Sequence, residues 1–129
     1  MKAIFTRTAE VCLRHDGIVV VKIFGQPPQT ITDARNNLEA AVNAREKSRC
    51  PLLIDIQASR LLDPQVRKFY ASRDLSPHFT GFALLANISG WGRAMGNLYL
   101  GLARHEVPMK LFQEEHEALY WLLVLPPPR

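Results

Sequence analysis

The chain has 129 residues, with 47% hydrophobic and 22% charged side chains and a net charge of +4. That is one domain's worth of ordinary globular composition, which excludes a disordered chain and a scaffold dependent on disulfides. Residues 1–64 carry nine basic and seven acidic side chains, and residues 65–129 carry seven and five. The excess is therefore spread evenly, with no basic arm or run to track the phosphates of a nucleic acid. Eleven of the sixteen cations are Arg, a usage assigned to genome composition rather than to anion recognition.

The longest apolar run, residues 118–125, is far shorter than the ~18 residues of a membrane span. Residues 1–7 turn polar too early for a signal peptide. Cys12 and Cys50 show neither metal nor redox spacing, and read as free thiols of a cytoplasmic protein.

Residues 10–15 alternate, Asp16-Gly17 follows, and residues 18–24 form a second β-rich run, a hairpin signal. Gly25-Gln26-Pro27-Pro28 breaks that strand. Thr30 and Asp33 have the spacing of a helix cap, and Ile31, Ala34, Leu38, Ala41 and Val42 recur at helical period. After Pro51, residues 52–56 form an apolar strand without alternation, as expected when both faces are covered.

Asp63-Pro64 supplies an N-cap and a first-turn proline for a second helix, with Val66, Phe69 and Tyr70 on its apolar side. Residues 81–86 are a further apolar strand. Ser89-Gly90-Trp91-Gly92 opens a helix expected to reach about Arg104, and residues 109–112 form a strand. A last helix is expected over 113–123, its acidic first turn suiting the helix dipole. Residues 126–129 form a proline-rich tail. The order ββαβαβαβα implies one α/β domain with an open mixed sheet. An N-terminal hairpin supplies one antiparallel edge strand, and right-handed crossovers link the parallel strands.

Several catalytic constellations are incomplete. Ser89 sits at a strand-to-helix turn, but Asn87 stands where a nucleophile elbow needs glycine. Gly90, Gly92 and Gly96 miss the dinucleotide spacing, and the Gly92/Gly96 stripe reads as close packing. Asp55, Ser89 and Lys110 follow the order of a phosphoacceptor site, but residues 24–28 lack the carboxylates that would hold magnesium. Asp55 is instead expected to brace the following loop. The four histidines are scattered, so no metal and no cofactor are expected.

The helix from Trp91 carries Arg93 as its only charge to about residue 103, with Met95, Tyr99 and Leu102 among its apolar positions. With Trp121 of the last helix, these are the expected contacts of a homodimer.

Residues 52–66, Leu-Leu-Ile-Asp-Ile-Gln-Ala-Ser-Arg-Leu-Leu-Asp-Pro-Gln-Val, resemble the central strand, loop and helix start of the STAS domains of anti-sigma-factor antagonists. Arg67-Lys-Phe-Tyr70, Gly81-Phe-Ala-Leu-Leu85, Met95-Gly-Asn-Leu98, residues 107–112 and residues 118–122 extend the resemblance. They resemble, in order, a STAS/Sec14-like (SpoIIAA-like) bacterial group, over about residues 16–123. The resemblance implies a single STAS-like domain with its core over about residues 10–123. It also implies a non-catalytic binding or regulatory role. In the antagonists a serine at the helix start is phosphorylated; here Pro64 and Gln65 stand there, and Ser59 lies in the preceding loop.

The alternative is a site for a small lipid, metabolite or anion at the strand carboxyl ends, where open α/β sheets bind ligands. Its candidate residues are Ser59, Arg67, Tyr70, Ser89, Trp91, Gly92 and Arg93. The partner is thus expected to be a second copy, a protein or a small anionic or apolar ligand.

Overall fold

The computed structural model describes residues 3–58, 63–71, 76–87 and 107–125. Six strands, β1 (Ala3–Phe5), β2 (Ala9–Leu13), β3 (Val19–Ile23), β4 (Cys50–Asp55), β5 (Phe79–Leu85) and β6 (Met109–Phe112), form one sheet in that order. The first three pair antiparallel; β3 through β6 run parallel. Three helices complete the described fold: α1 (Ile31–Ala44), α2 (Pro64–Ala71) and α3 (Glu115–Leu123). The expected helix from Trp91 and the proline tail lie outside the described residues.

The hairpin forms where Asp16-Gly17 places it. Gly17 takes φ +88°, a left-handed conformation that glycine adopts without Cβ strain. Arg14 N–H donates to the Ile18 carbonyl (2.9 Å), and Ile18 N–H donates to Asp16 Oδ1 (3.3 Å). The sheet has one strand more than the sequence pattern implies. β1 lies outside β2, so two antiparallel strands precede the parallel set rather than one. Its three residues are all exposed, which leaves too short a span for a period-2 pattern to register.

The strand alternation sorts the core into two layers. Val19, Val21, Ile23, Leu52, Ile54, Phe82 and Leu84 face α1 and α2, meeting Ala34, Ala41, Val66 and Phe69. Ile18, Leu53, Ala83, Leu85 and Phe112 face the other way, onto Ala118 and Leu122 of α3. β4 is therefore covered on both sides, the reason its sequence shows no polar alternation. α1 and α2 pack on the same face, as connections of one hand between parallel neighbours require.

Candidate binding surface at the carboxyl ends of the parallel strands

β3, β4, β5 and β6 all end on one side of the sheet, and the ladder runs slightly past the strands. Ile56 N–H donates to the Leu85 carbonyl and Ala86 N–H to the Phe112 carbonyl, both at 2.9 Å. This row of ends carries the loops that a ligand or partner would meet.

Three aspartates lie along it, and each is committed to neighbouring backbone. Asp55 Oδ1 accepts from Gln57 N–H at 2.9 Å, closing the turn after β4. Asp63 Oδ1 accepts from Gln65 N–H at 2.8 Å and caps α2, with Pro64 as the first helical residue. Asp33, 5% exposed, is the most fully engaged. Its Oδ2 accepts from Thr30 N–H at 2.9 Å, while Thr30 Oγ1 accepts from Asp33 N–H at 3.2 Å, a capping box. Arg7, in the β1–β2 turn, then donates Nε to Oδ1 and Nη2 to Oδ2, at 3.1 and 3.0 Å. Burial by itself would raise the Asp33 carboxyl. The Thr30 amide, then the Arg7 guanidinium, outweigh it and hold the group below its ordinary 3.8.

Next to this pair lies a buried polar cluster. Asn37, 1% exposed, donates Nδ2 to Thr8 Oγ1 at 2.9 Å and to Gln29 Oε1 at 3.2 Å, and its Oδ1 accepts from the Thr6 hydroxyl. An unpaired buried amide would cost about 1–3 kcal/mol, so these partners are what permit an asparagine in the α1 interface. Sequence reading missed both Asn37 and Arg7. The signal for Asn37 was present: it falls three and four residues from Ala34 and Ala41, on the apolar stripe. No sequence signal pointed to Arg7.

The loop after β3 meets the loop after β4 at Gly25. A Cβ there would lie 2.7 Å from the Ala58 carbonyl oxygen, closer than carbon and oxygen approach, so a side chain is excluded. The Gln57 amide reaches the Gln113 carbonyl at 3.5 Å, joining the ends of β4 and β6.

Of the sequence-derived site residues, Arg67 and Tyr70 lie in α2, directly after the Asp63 cap. Ser59, Ser89, Trp91, Gly92 and Arg93 lie outside the described residues, as do Met95, Tyr99 and Leu102 of the expected interface. Trp121 is half-buried in α3, its ring 5.6 Å from that of Phe112. The exposed apolar side chains of that helix and its C-cap are Tyr120, Leu123 and Val124, spaced to share one stripe. Among the described residues, no cluster of His, Cys, Asp and Glu could hold a metal ion, and no helix is long and apolar enough to cross a membrane.

A hairpin followed by parallel strands with alternating helices is the arrangement of a SpoIIAA-like fold. The crystal structure of an uncharacterised DUF3478-family protein with that fold, from Shewanella loihica PV-4, is similar at a TM-score of 0.54. The two are 17% identical over 94% of this chain and 90% of that one, a likeness of fold. The chain belongs to the family described as Domain of unknown function (DUF7793), whose sequence profile matches residues 12–125. A protein of unknown function from Arthrobacter sp. FB24 is similar at 26% identity over 88% of this chain and 98% of that one, with a TM-score of 0.32. No functionally curated protein matches the chain.

Proposed function

We propose that the chain is a non-catalytic binding or regulatory module of SpoIIAA-like fold, dimeric in solution, that works without a phosphorylated serine at the start of α2. The observation that carries this reading is the use of the three aspartates. Asp33, Asp55 and Asp63 each accept from a nearby backbone N–H. Each of these carboxylates already closes a turn or holds a helix start, which supports a structural rather than a catalytic use of the three groups.

The start of α2 supports the second part. Asp63-Pro64-Gln65 gives a rigid, capped helix end with no hydroxyl to accept phosphate. The partner is a protein or a small anion met at the strand carboxyl ends. The stripe of Tyr120, Leu123 and Val124 supports self-association.

The test is phosphate transfer. The chain is incubated with ATP and an anti-sigma-factor kinase, and its intact mass is followed beside that of Gln65→Ser. Phosphate on Gln65→Ser only is the expected result. Phosphate within residues 63–66 of the parent chain overturns the reading.

A further inference from the structure

At the opposite end of the sheet, where the parallel strands begin, the hairpin tip and the α1–β4 connection enclose two adjoining depressions. One, about 480 Å³, lies between Ile4, Leu13 and the end of α1 at Asn43 and Ala44. The other, about 410 Å³, lies between Leu13, Gly17 and residues 46–51. They meet at Leu13 and Glu46, and each has the size of a small-molecule site.

The walls differ in charge. On the hairpin side Arg14 and Asp16 neutralise each other at 3.3 Å. On the other side the segment from Arg45 to Arg49 holds three cations and one anion, Glu46. Among the described residues, none of Arg45, Lys47 and Arg49 has a carboxylate within 4.0 Å. Arg45 is spent on the loop itself: Nε donates to the Val42 carbonyl at 2.8 Å, and Nη1 to the Ser48 carbonyl. Arg49 donates Nη2 to the Phe79 carbonyl at 3.2 Å, and its buried Nε–H has no acceptor among the described residues. That N–H is closed to a solute as it is to water; what the groove itself presents is the positive charge of Lys47 and Arg49, which line the second depression with no carboxylate in ion-pair contact among the described residues. Beside it, Leu13, Pro51 and the buried Cys50 line the depression with low-polarity surface, and Ile4 and Ala44 continue it beyond Leu13.

We propose that this groove is a second binding site, for a small organic anion with a short apolar body, its head held by Arg49 and Lys47 and its body lying along Leu13. Glu46, where the depressions meet, repels the head from the depression beside Asn43 and Ala44, so the head lies on the Lys47 and Arg49 side and the body points towards Ile4 and Ala44. The site is separate from the carboxyl-end surface and does not depend on it.

Octanoate is the probe, added below its micellar range to the ¹⁵N-labelled chain and followed by amide chemical shifts. Saturable shifts of Gly17, Ser48 and Cys50 are expected, with none from acetate at equal concentration. Charge-assisted hydrogen bonds of this kind imply that Arg49→Gln weakens octanoate binding about tenfold or more. Glu46→Gln tightens it, because a repelling charge is removed. Shifts confined to the strand carboxyl ends, or equal affinity of Arg49→Gln and the parent, overturn the proposal. Should Arg49→Gln fail to fold, Glu46→Gln decides: unchanged or weaker binding overturns it equally.

Discussion

Arg7 and Asp33 are 26 residues apart in the chain, yet their side chains form a two-pronged ion pair that ties the β1–β2 turn to the first turn of α1. Arg7 remains 55% exposed at its side chain, so the pair by itself is worth little; its value comes from the carboxylate it shares with the capping box. Replacing Asp33 by Ala removes the N3 half of the capping box and leaves Arg7 and the Thr30 amide without their acceptor, while the bond from the residue 33 N–H to Thr30 Oγ1 remains. The expected loss is about 2 kcal/mol or more, against about 1 kcal/mol for Thr30→Ala. Urea midpoints of the two variants at pH 7 check the order.

The same carboxylate gives an acid-sensitive stability. Its folded pKa lies below the ordinary value, so folding favours the charged form. That contribution is fully present above the unfolded-state value near 4 and is lost as pH falls through the lower, folded one. Asp33→Asn should therefore show a flatter decline of its urea midpoint between pH 5 and pH 2 than the parent. Parallel curves would remove Asp33 from the account.

Gly25→Ala should destabilise by about 1–3 kcal/mol, because the new Cβ meets a backbone carbonyl rather than a movable side chain. Gly81→Ala is a useful contrast. Its Cβ would run into the end of the flexible Leu125 side chain, which can turn aside. Thermal unfolding of the pair should place Gly25→Ala well below Gly81→Ala.

The two thiols should differ in reactivity. Cys50 is 5% exposed, and burial pushes its thiol up despite the nearby Arg45 guanidinium, so little thiolate forms. Cys12, in β2, is only half-buried. At pH 8 a disulfide reagent should label one cysteine in the native chain and both in denaturant. Cys12→Ser should show almost no native labelling.

α3 separates packing from association. Leu122 is 1% exposed in the layer beneath the helix, and Leu122→Ala should cost about 2–5 kcal/mol. Tyr120 is 68% exposed and should be nearly neutral for folding as Ser, yet the Tyr120→Ser, Leu123→Ser double variant should weaken the proposed dimer. Sedimentation velocity at micromolar concentration checks both halves. A parent chain sedimenting only at its 14.6 kDa monomer mass would sink the dimer.

What the sequence determined by itself is local. Asp16-Gly17 places the hairpin, Thr30 with Asp33 starts α1, and Asp63-Pro64 starts α2. Each depends on backbone geometry and hydrogen bonds within four residues, which a sequence displays directly. The apolar run of β4 announces a strand covered on both faces for the same kind of reason. Three features depended on tertiary structure. β1 is too short to have a period and gains its hydrogen bonds from β2. Arg7 finds Asp33, and Gly25 finds Ala58, only because β2, β3 and β4 lie side by side with their loops at one end of the sheet. Such contacts join residues that no sequence spacing links, so neither could be read before the chain was folded. Asn37 stands between the two cases: its position on the apolar stripe is written in the sequence, and the polar partners that make it tolerable there are supplied by the fold.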